Sequence, residues 1–307
     1  MTSINLVVGI PGSGKTTYAK LLAEELDGVW VSSDAIRKEW YGSEEILGDA
    51  GKIFREVEKR CRAALEHGQS VVMDATNLNA KKRKAFLEKM PKDASRVCIV
   101  MAVPFDECVK RDQERPRHVG IEVLEKMRKN FQMPYYNEGW DHIEIYYPKD
   151  CEMVSAEYHY EMEIKFDQRN SHHSMTVGDH EEMAQTIAGA KGYLGNVQWA
   201  AGYHDCGKIW CQVFKEGDEN AHYYGHECVS AYQFLTMDST EFVYGIRNRD
   251  AVVEAAALIT WPMAPYQFKG RWDEREEQFR EWARDKGFDR EFAEHLWQLH
   301  ECDVNAH

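Results

Sequence analysis

Two short stretches carry residue types whose spacing can do chemistry. The first, GIPGSGKT from Gly9 to Thr16, fits GxxxxGK[ST]. In such a loop the glycines keep the backbone bare, so that consecutive N–H groups wrap a chain of phosphates; Gly9, Gly12, Ser13 and Gly14 supply that wrap here. Lys15 reaches the outer phosphates, and the Thr16 hydroxyl, with Thr17 next to it, suits a Mg2+ ion, so ATP and Mg2+ are the expected ligands. The second stretch, AGYHDCGKIW from Ala201 to Trp210, sets His204 and Asp205 side by side in an apolar run, with Lys208 four residues beyond His204. On a helix over 196–206 successive residues point about 100° apart, and both members of the doublet reach one cation near the helix end. A divalent metal held there carries an activated water, while Lys208 on the His204 face neutralises a phosphate oxygen.

Each stretch has candidate companions. VSSDAIR puts Asp34 and Arg37 three apart at the carboxyl end of a strand, where open α/β sheets bind ligands. Asp34 suits the removal of a proton from an attacking hydroxyl, and Arg37 forks onto a phosphate of the acceptor. The competing reading makes Ser33 or Asp34 a helix N-cap. In VVMDATN, Asp74 ends another strand, suited to the Mg2+ shell, to orienting the acceptor, or to a structural turn. KRDQERPRHV carries Arg111 and Arg115 on one helical face, placed to close over a transferring phosphoryl group. Around the HD doublet, HHSMTVGDHEE offers His172, His173 and His180, YYGHE offers His226, and LHECDVNAH offers His300, Asp303 and His307. Mixed imidazole and carboxylate donors suit Mn2+, Fe2+, Co2+, Ni2+ or Zn2+, and Mg2+ is compatible.

The elements that must position these residues change character along the chain. In the first half the apolar strands INLVVGI, GVWVSS, SVVMDAT, RVCIVMAV and HIEIYY alternate with helical stretches, which predicts a parallel sheet covered on both faces. The second half opens with YHYEMEIKF, whose alternation predicts a short strand, and then reads as helices from about residue 177 to the end. A boundary near residue 150 divides the chain into domains over 1–150 and 151–307, each long enough for its own core.

Charge follows the same division. The net charge is −14 over 307 residues; residues 1–150 carry equal numbers of basic and acidic side chains, whereas 151–307 carry twice as many acidic as basic. Such a balance disfavours coating a duplex through counterion release, and leaves room for a local basic groove that grips a strand end. Eight cysteines without a CxxC pair predict reduced thiols, and the start MTSINLVVGI enters a strand with no basic leader; a cytoplasmic location is the expectation, with no membrane span. The oligomeric state is left open.

GIPGSGKTT, SSDAIR, DATN and the RxxxR before VGIEVLEKM resemble the 5'-hydroxyl polynucleotide kinase domain of bacteriophage end-healing enzymes over most of residues 1–146. The resemblance implies that Lys15 and Thr16 contact ATP and Mg2+, that Asp34 is the general base, that Arg37 meets the acceptor phosphate, and that Arg111 and Arg115 are lid arginines. Residues 170–307 resemble the HD phosphohydrolase superfamily. That resemblance implies metal ligands His180, His204, Asp205 and Asp303, with His173 competing as the first ligand, and substrate contacts at Lys208 and His226. No histidine stands between His226 and His295, and Pro262 in ITWPMAPY occupies a place where two-metal members carry one, so a single metal is expected and loss of hydrolysis stays open.

Together these imply an α/β P-loop kinase domain with a parallel sheet followed by a mainly α-helical HD domain. The leading functional reading is a nucleic-acid end-healing enzyme. It phosphorylates 5'-hydroxyl ends with ATP and removes 3'-phosphate or 2',3'-cyclic phosphate from single-stranded or nicked ends, ahead of a ligase; RNA and DNA are both open as substrates. The alternatives are a nucleoside or nucleotide kinase fused to a nucleotidase, and a kinase with a non-catalytic helical module.

Overall fold

A computed structural model describes residues 2–170, 175–238 and 249–306. By contacts the chain forms two compact units, Met1–Met127 with Glu138–Cys151, and Arg128–Asn137 with Glu152–His307. Residues 128–137 thus lie with the second unit, which a single cut near 150 cannot express.

The first unit is built on five parallel strands: β1 (Ser3–Val8), β2 (Val29–Ser32), β3 (Val71–Asp74), β4 (Ser95–Met101) and β5 (His142–Tyr146), in the order β2-β3-β1-β4-β5. Helices α1 (Lys15–Glu25), α2 (Ser33–Tyr41), α3 (Ala50–Glu66), α4 (Ala80–Leu87), α5 (Phe105–Glu114) and α6 (Ile121–Arg128) connect or follow them. β1 and β3 are near-continuous apolar runs because both of their faces are covered; Ile4, Leu6, Val7, Val71, Val72 and Met73 are all buried. The strand order matters for chemistry. It sets β2, β3 and β1 side by side, with Val7 and Ser32 both in register with Asp74, so the three motif-bearing ends emerge together.

The loop after β3 is held from two sides. Asn77 sits at φ +51 and donates to Val7 O at 2.9 Å. Arg83 donates to Asn77 O at 2.8 Å while its other nitrogens grip the Glu138 carboxylate at 2.6 and 2.7 Å. A buried bidentate pair of this kind leaves an uncompensated charge if either partner is removed, at a cost of about 3–5 kcal/mol.

The second unit is helical: α7 (Ala156–Glu163), α8 (Val177–Ala190), α9 (Gly195–Tyr203), α10 (His226–Thr236), α11 (Arg249–Thr260), α12 (Trp272–Asp285) and α13 (Arg290–Asn305). α8 and α9 meet through Ala184, Ala188, Ala200 and Ala201, all fully buried, and such small side chains let the two helices approach closely. YHYEMEIKF departs from expectation. Ser155 caps Tyr158 N, and α7 runs through the stretch with His159 and Glu163 on one buried face, so the apparent alternation is overruled by helical spacing. The doublet also lies later than a helix over 196–206 implies: α9 ends at Tyr203, His204 is its C-cap, and Cys206–Trp210 is a 3-10 turn.

Candidate functional site

In the first unit the loop from Gly9 to Lys15 joins β1 to α1. Gly12 stands at φ +85, and a Cβ there would lie 2.3 Å from Cys108 O, so only glycine fits. Ser13 is buried, Gly14 is the N-cap of α1, Thr17 lies exposed in its first turn, and Gly9 N donates to Thr76 O at 3.1 Å, tying the loop to DATN. Lys15 Nζ donates to Ile10 O at 2.6 Å and approaches Ser13 Oγ at 3.4 Å. Burial lowers the Lys15 ammonium to about 8 against the opposing pull of Asp74, so the site is short of negative charge that a phosphate would bring.

Thr16 Oγ1 donates to Asp74 Oδ2 at 2.9 Å. Burial raises the Asp74 carboxyl, with Thr16 and Lys15 working against the rise. A hydroxyl and a buried carboxylate side by side at the helix start are hard oxygen donors, which fit Mg2+.

Asp34 and Arg37 lie in the first two turns of α2, and Arg37 Nη1 donates to Asp34 Oδ1. The helix cap is Ser32, whose side chain accepts from Ala35 N, so neither Ser33 nor Asp34 is used as the cap. The Asp34 side chain is 52% exposed, the Arg37 side chain 13%, and Arg37 Nε is buried without a hydrogen-bond partner. Arg111 holds Glu107 at 2.7 Å and Asp150 at 3.1 Å; its Nη1 lies 3.9 Å from where a Cβ on Gly14 would sit. Arg115 pairs with Asp112, and its charge reaches Lys15. The other Asp112 oxygen accepts from Val119 N at 2.9 Å and Gly120 N at 3.1 Å, fixing the connection that follows α5. Both arginines therefore stand near the phosphate loop.

In the second unit four polar side chains from three elements converge. His180 of α8 and His204 face each other Nε2 to Nε2 at 3.4 Å. Asp303 Oδ1 of α13 lies 3.2 Å from His180 Nε2 and 3.5 Å from His204 Nε2, and Asp205 Oδ2 lies 3.7 Å from each. The Nδ1 atoms are engaged with backbone carbonyls, His180 with Ala306 O at 2.9 Å and His204 with Ala201 O at 3.0 Å. A carbonyl at Nδ1 fixes the proton there and leaves Nε2 as a lone-pair donor. Two such lone pairs facing each other and two carboxylates need a cation between them, so the set fits a divalent metal. Without one, burial works to deprotonate His204, yet Asp205 and Asp303 hold its imidazole at about 9. Burial likewise opposes the Asp303 and Asp205 charges, and their neighbours win, His204 and His180 at Asp303 and Lys208 and the histidines at Asp205, so both carboxyls are held below the usual range.

Lys208 Nζ lies 2.5 Å from Asp205 Oδ2 and donates to Gln168 Oε1 at 3.0 Å. His226 Nε2 lies 3.2 Å from Asp205 Oδ1, with Nδ1 on Tyr223 O at 2.7 Å. Gly207 makes this possible, since a Cβ there would lie 2.4 Å from His226 O. Tyr266 OH donates to Asp303 Oδ2 at 2.7 Å. Tyr266 and Gln168 were not singled out by sequence; Tyr266 sits in the ITWPMAPY stretch, four residues past Pro262. His173, the competing first ligand, lies outside the described residues.

A five-stranded parallel sheet with a phosphate loop after its first strand defines the class as P-loop phosphotransferases. Residues 4–134 match the AAA domain family. A shikimate kinase of Saccharopolyspora erythraea is 33% identical over 148 residues, 45% of this chain and 81% of that enzyme. Through its first unit the chain belongs to the P-loop kinases, a family whose activity uses ATP and Mg2+. An L-seryl-tRNA(Sec) kinase of Methanococcus maripaludis is 28% identical over 146 residues, 44% of this chain and 55% of that protein, so the chain spans about half of that relative's length. A chain of a solved Pnkp1/Rnl/Hen1 RNA repair complex is 25% identical, with 42% of this chain and 43% of that one covered and a TM-score of 0.39. Among the described residues no helix is long and apolar enough to cross a membrane.

Proposed function

We propose that the protein is a bifunctional nucleic-acid end-healing enzyme: its first unit transfers phosphate from ATP to 5'-hydroxyl ends, and its second, an HD-type phosphohydrolase, removes 3'-phosphate or 2',3'-cyclic phosphate. The observation that carries the reading is the convergence of His180, His204, Asp205 and Asp303 in a chain that also holds a phosphate loop. One set of groups adds phosphate and the other takes it away, which is what ligation of a broken strand requires. Localisation in the cytoplasm and a downstream ligase partner belong to the same reading.

In the kinase unit the loop N–H groups and Lys15 hold the donor's phosphates, and Thr16 with Asp74 holds Mg2+, which neutralises phosphate charge. Asp34 accepts the proton of the acceptor hydroxyl as that oxygen bonds to the γ-phosphorus and ADP departs. Its partial exposure suits this role, because a polymer end must reach it. Arg37, with one guanidinium nitrogen on Asp34, orients Asp34 and turns the exposed part of its guanidinium to the acceptor's phosphate. Arg111 and Arg115 offset charge that builds up on the transferring group.

In the second unit the two histidines and two aspartates hold one divalent metal, which supplies a Lewis acid and an activated water when bound. Lys208 and His226, both on Asp205, orient that carboxylate and present N–H groups to a phosphate.

The test is a panel of acceptors. With γ-labelled ATP, label is expected on 5'-hydroxyl oligonucleotides and nucleoside 3'-phosphates and not on free nucleosides, nucleoside 5'-phosphates or shikimate. Phosphate release from 3'-phosphorylated oligonucleotides is expected to stop on addition of a chelator. Transfer to a small molecule alone would replace the polynucleotide assignment with the small-molecule kinase reading. Metal binding without hydrolysis of any phosphate end would leave the second unit a non-catalytic module.

A further inference from the structure

Behind the HD doublet lies a second knot of polar side chains that the reactions above do not use. His159 and Glu163 stand four apart on α7, and Cys206 opens the 3-10 turn that follows Asp205. One donor atom from each lies within 4.8 Å of the others, and all three residues are buried to 3% exposure or less. His159 Nδ1 is 2.6 Å from Glu163 Oε1, but the geometry is not that of a hydrogen bond: among the described residues both ring nitrogens of His159 and Glu163 Oε1 have no hydrogen-bond partner. Glu181 is equally buried; its Oε1 accepts from Asp205 N at 2.8 Å, and its Oε2 has no partner among the described residues. The lysine of this region, Lys208, is occupied by Asp205 and Gln168. Buried polar atoms without partners are costly, and two carboxylates among them call for a cation.

We infer that His159, Glu163 and Cys206 bind a second divalent transition metal in a closed structural site. The buried Glu181 carboxyl lies in electrostatic reach of Glu163 and Cys206. Imidazole, carboxylate and thiolate together are the donors Zn2+ takes in tetrahedral structural sites, and the absence of exposure leaves no room for substrate. The thiol proton of Cys206 passes to solvent as the metal binds. The site ties α7 to α8 and to the turn after the doublet. It acts on the catalytic centre by position: Glu181, the residue after His180, grips the backbone of Asp205, and Cys206 follows Asp205 directly. Neighbouring residues along the chain thus face two metals alternately.

The test is metal content and the spectrum of the cobalt-loaded full-length protein. The wild type is expected to hold two equivalents of Co2+ per chain and to show a thiolate-to-cobalt charge-transfer band in the near ultraviolet. Cys206→Ser abolishes the band and removes one equivalent; Glu163→Gln, which keeps the thiol, also removes one equivalent. His204→Ala removes the other equivalent and keeps the band, which separates this site from the catalytic one. If Cys206→Ser does not fold, the wild-type band and the Glu163→Gln count decide. A wild-type protein with one equivalent and no thiolate band, or a band that survives Cys206→Ser, overturns the assignment and leaves the knot a protonated carboxylate–imidazole pair.

Discussion

The two candidate centres hold charge in opposite ways. At the phosphate loop the reactive groups stand apart: Lys15 is buried and leans on backbone oxygen, whereas Asp34 is half in water and paired with Arg37. In the helical unit the reactive groups are pressed together, with two imidazole nitrogens 3.4 Å apart and two carboxylates within 3.7 Å. The first arrangement waits for anions that it does not contain, the phosphates, and leaves a path for a large acceptor. The second gathers carboxylate and imidazole donors around one point and waits for a metal cation. Removing a group should therefore affect one substrate step in the first unit, and the integrity of the whole cluster in the second.

The contrast sets an order of expected effects. Asp34→Ala should lower phosphoryl transfer by about 10²- to 10⁴-fold with the fold intact, since the carboxylate is half exposed and, among the described residues, bonded to Arg37; near-normal transfer in a steady-state assay would remove Asp34 as the base. Arg37→Ala comes next. Loss of a charged hydrogen bond is worth about 1.5–3 kcal/mol, so kcat/KM for a 3'-phosphorylated mononucleotide acceptor should fall roughly 10- to 150-fold while KM for ATP is unchanged. An effect confined to ATP would move Arg37 to the donor side.

The pH profile of ATP binding should show a smaller effect with a definite sign. Burial lowers Lys15 to about 8, and bound phosphate favours its charged form, so binding takes up a proton above that pH. Affinity should be flat below pH 7 and fall about fivefold from pH 8 to 9, a dependence that Lys15→Met abolishes. A flat profile up to pH 9.5 would mean that Lys15 stays charged without ligand. Of similar size is Tyr266→Phe, which strips one hydrogen bond from Asp303. Outer-shell losses of this kind cost about 10- to 100-fold in metal affinity, and isothermal titration with Mn2+ should find the lower end, because Asp303 keeps both imidazoles. No change would make Tyr266 a packing residue only.

What could be read from sequence follows how local each feature is. The phosphate loop is one contiguous motif, and its strand–loop–helix context is visible in apolar runs on either side. The doublet is contiguous as well, whereas Asp303 was one of three candidates in LHECDVNAH and only the family resemblance chose it over His300 and His307. Tyr266 and Gln168 reach the cluster only through the packing of separate segments, and no spacing rule connects them to it. The misread stretch YHYEMEIKF shows the limit of alternation. Its tyrosines and methionine alternate with polar residues, but His159 and Glu163 at a spacing of four, after a capping Ser155, carry the helical signal. That same spacing was the sequence trace of the second knot of ligands, hidden by the strand reading. His173, the competing first ligand, falls outside the described residues.

The separation of the two chemistries is tested most directly on one oligonucleotide bearing a 5'-hydroxyl and a labelled 3'-phosphate, incubated with ATP and divalent metal. The account predicts that His204→Ala and Asp205→Ala lose 3'-phosphate release and keep 5'-phosphorylation at the wild-type rate, whereas Lys15→Ala loses 5'-phosphorylation and keeps 3'-phosphate release. Loss of both activities in either set of soluble, folded variants would contradict it, because no residue is assigned to both centres.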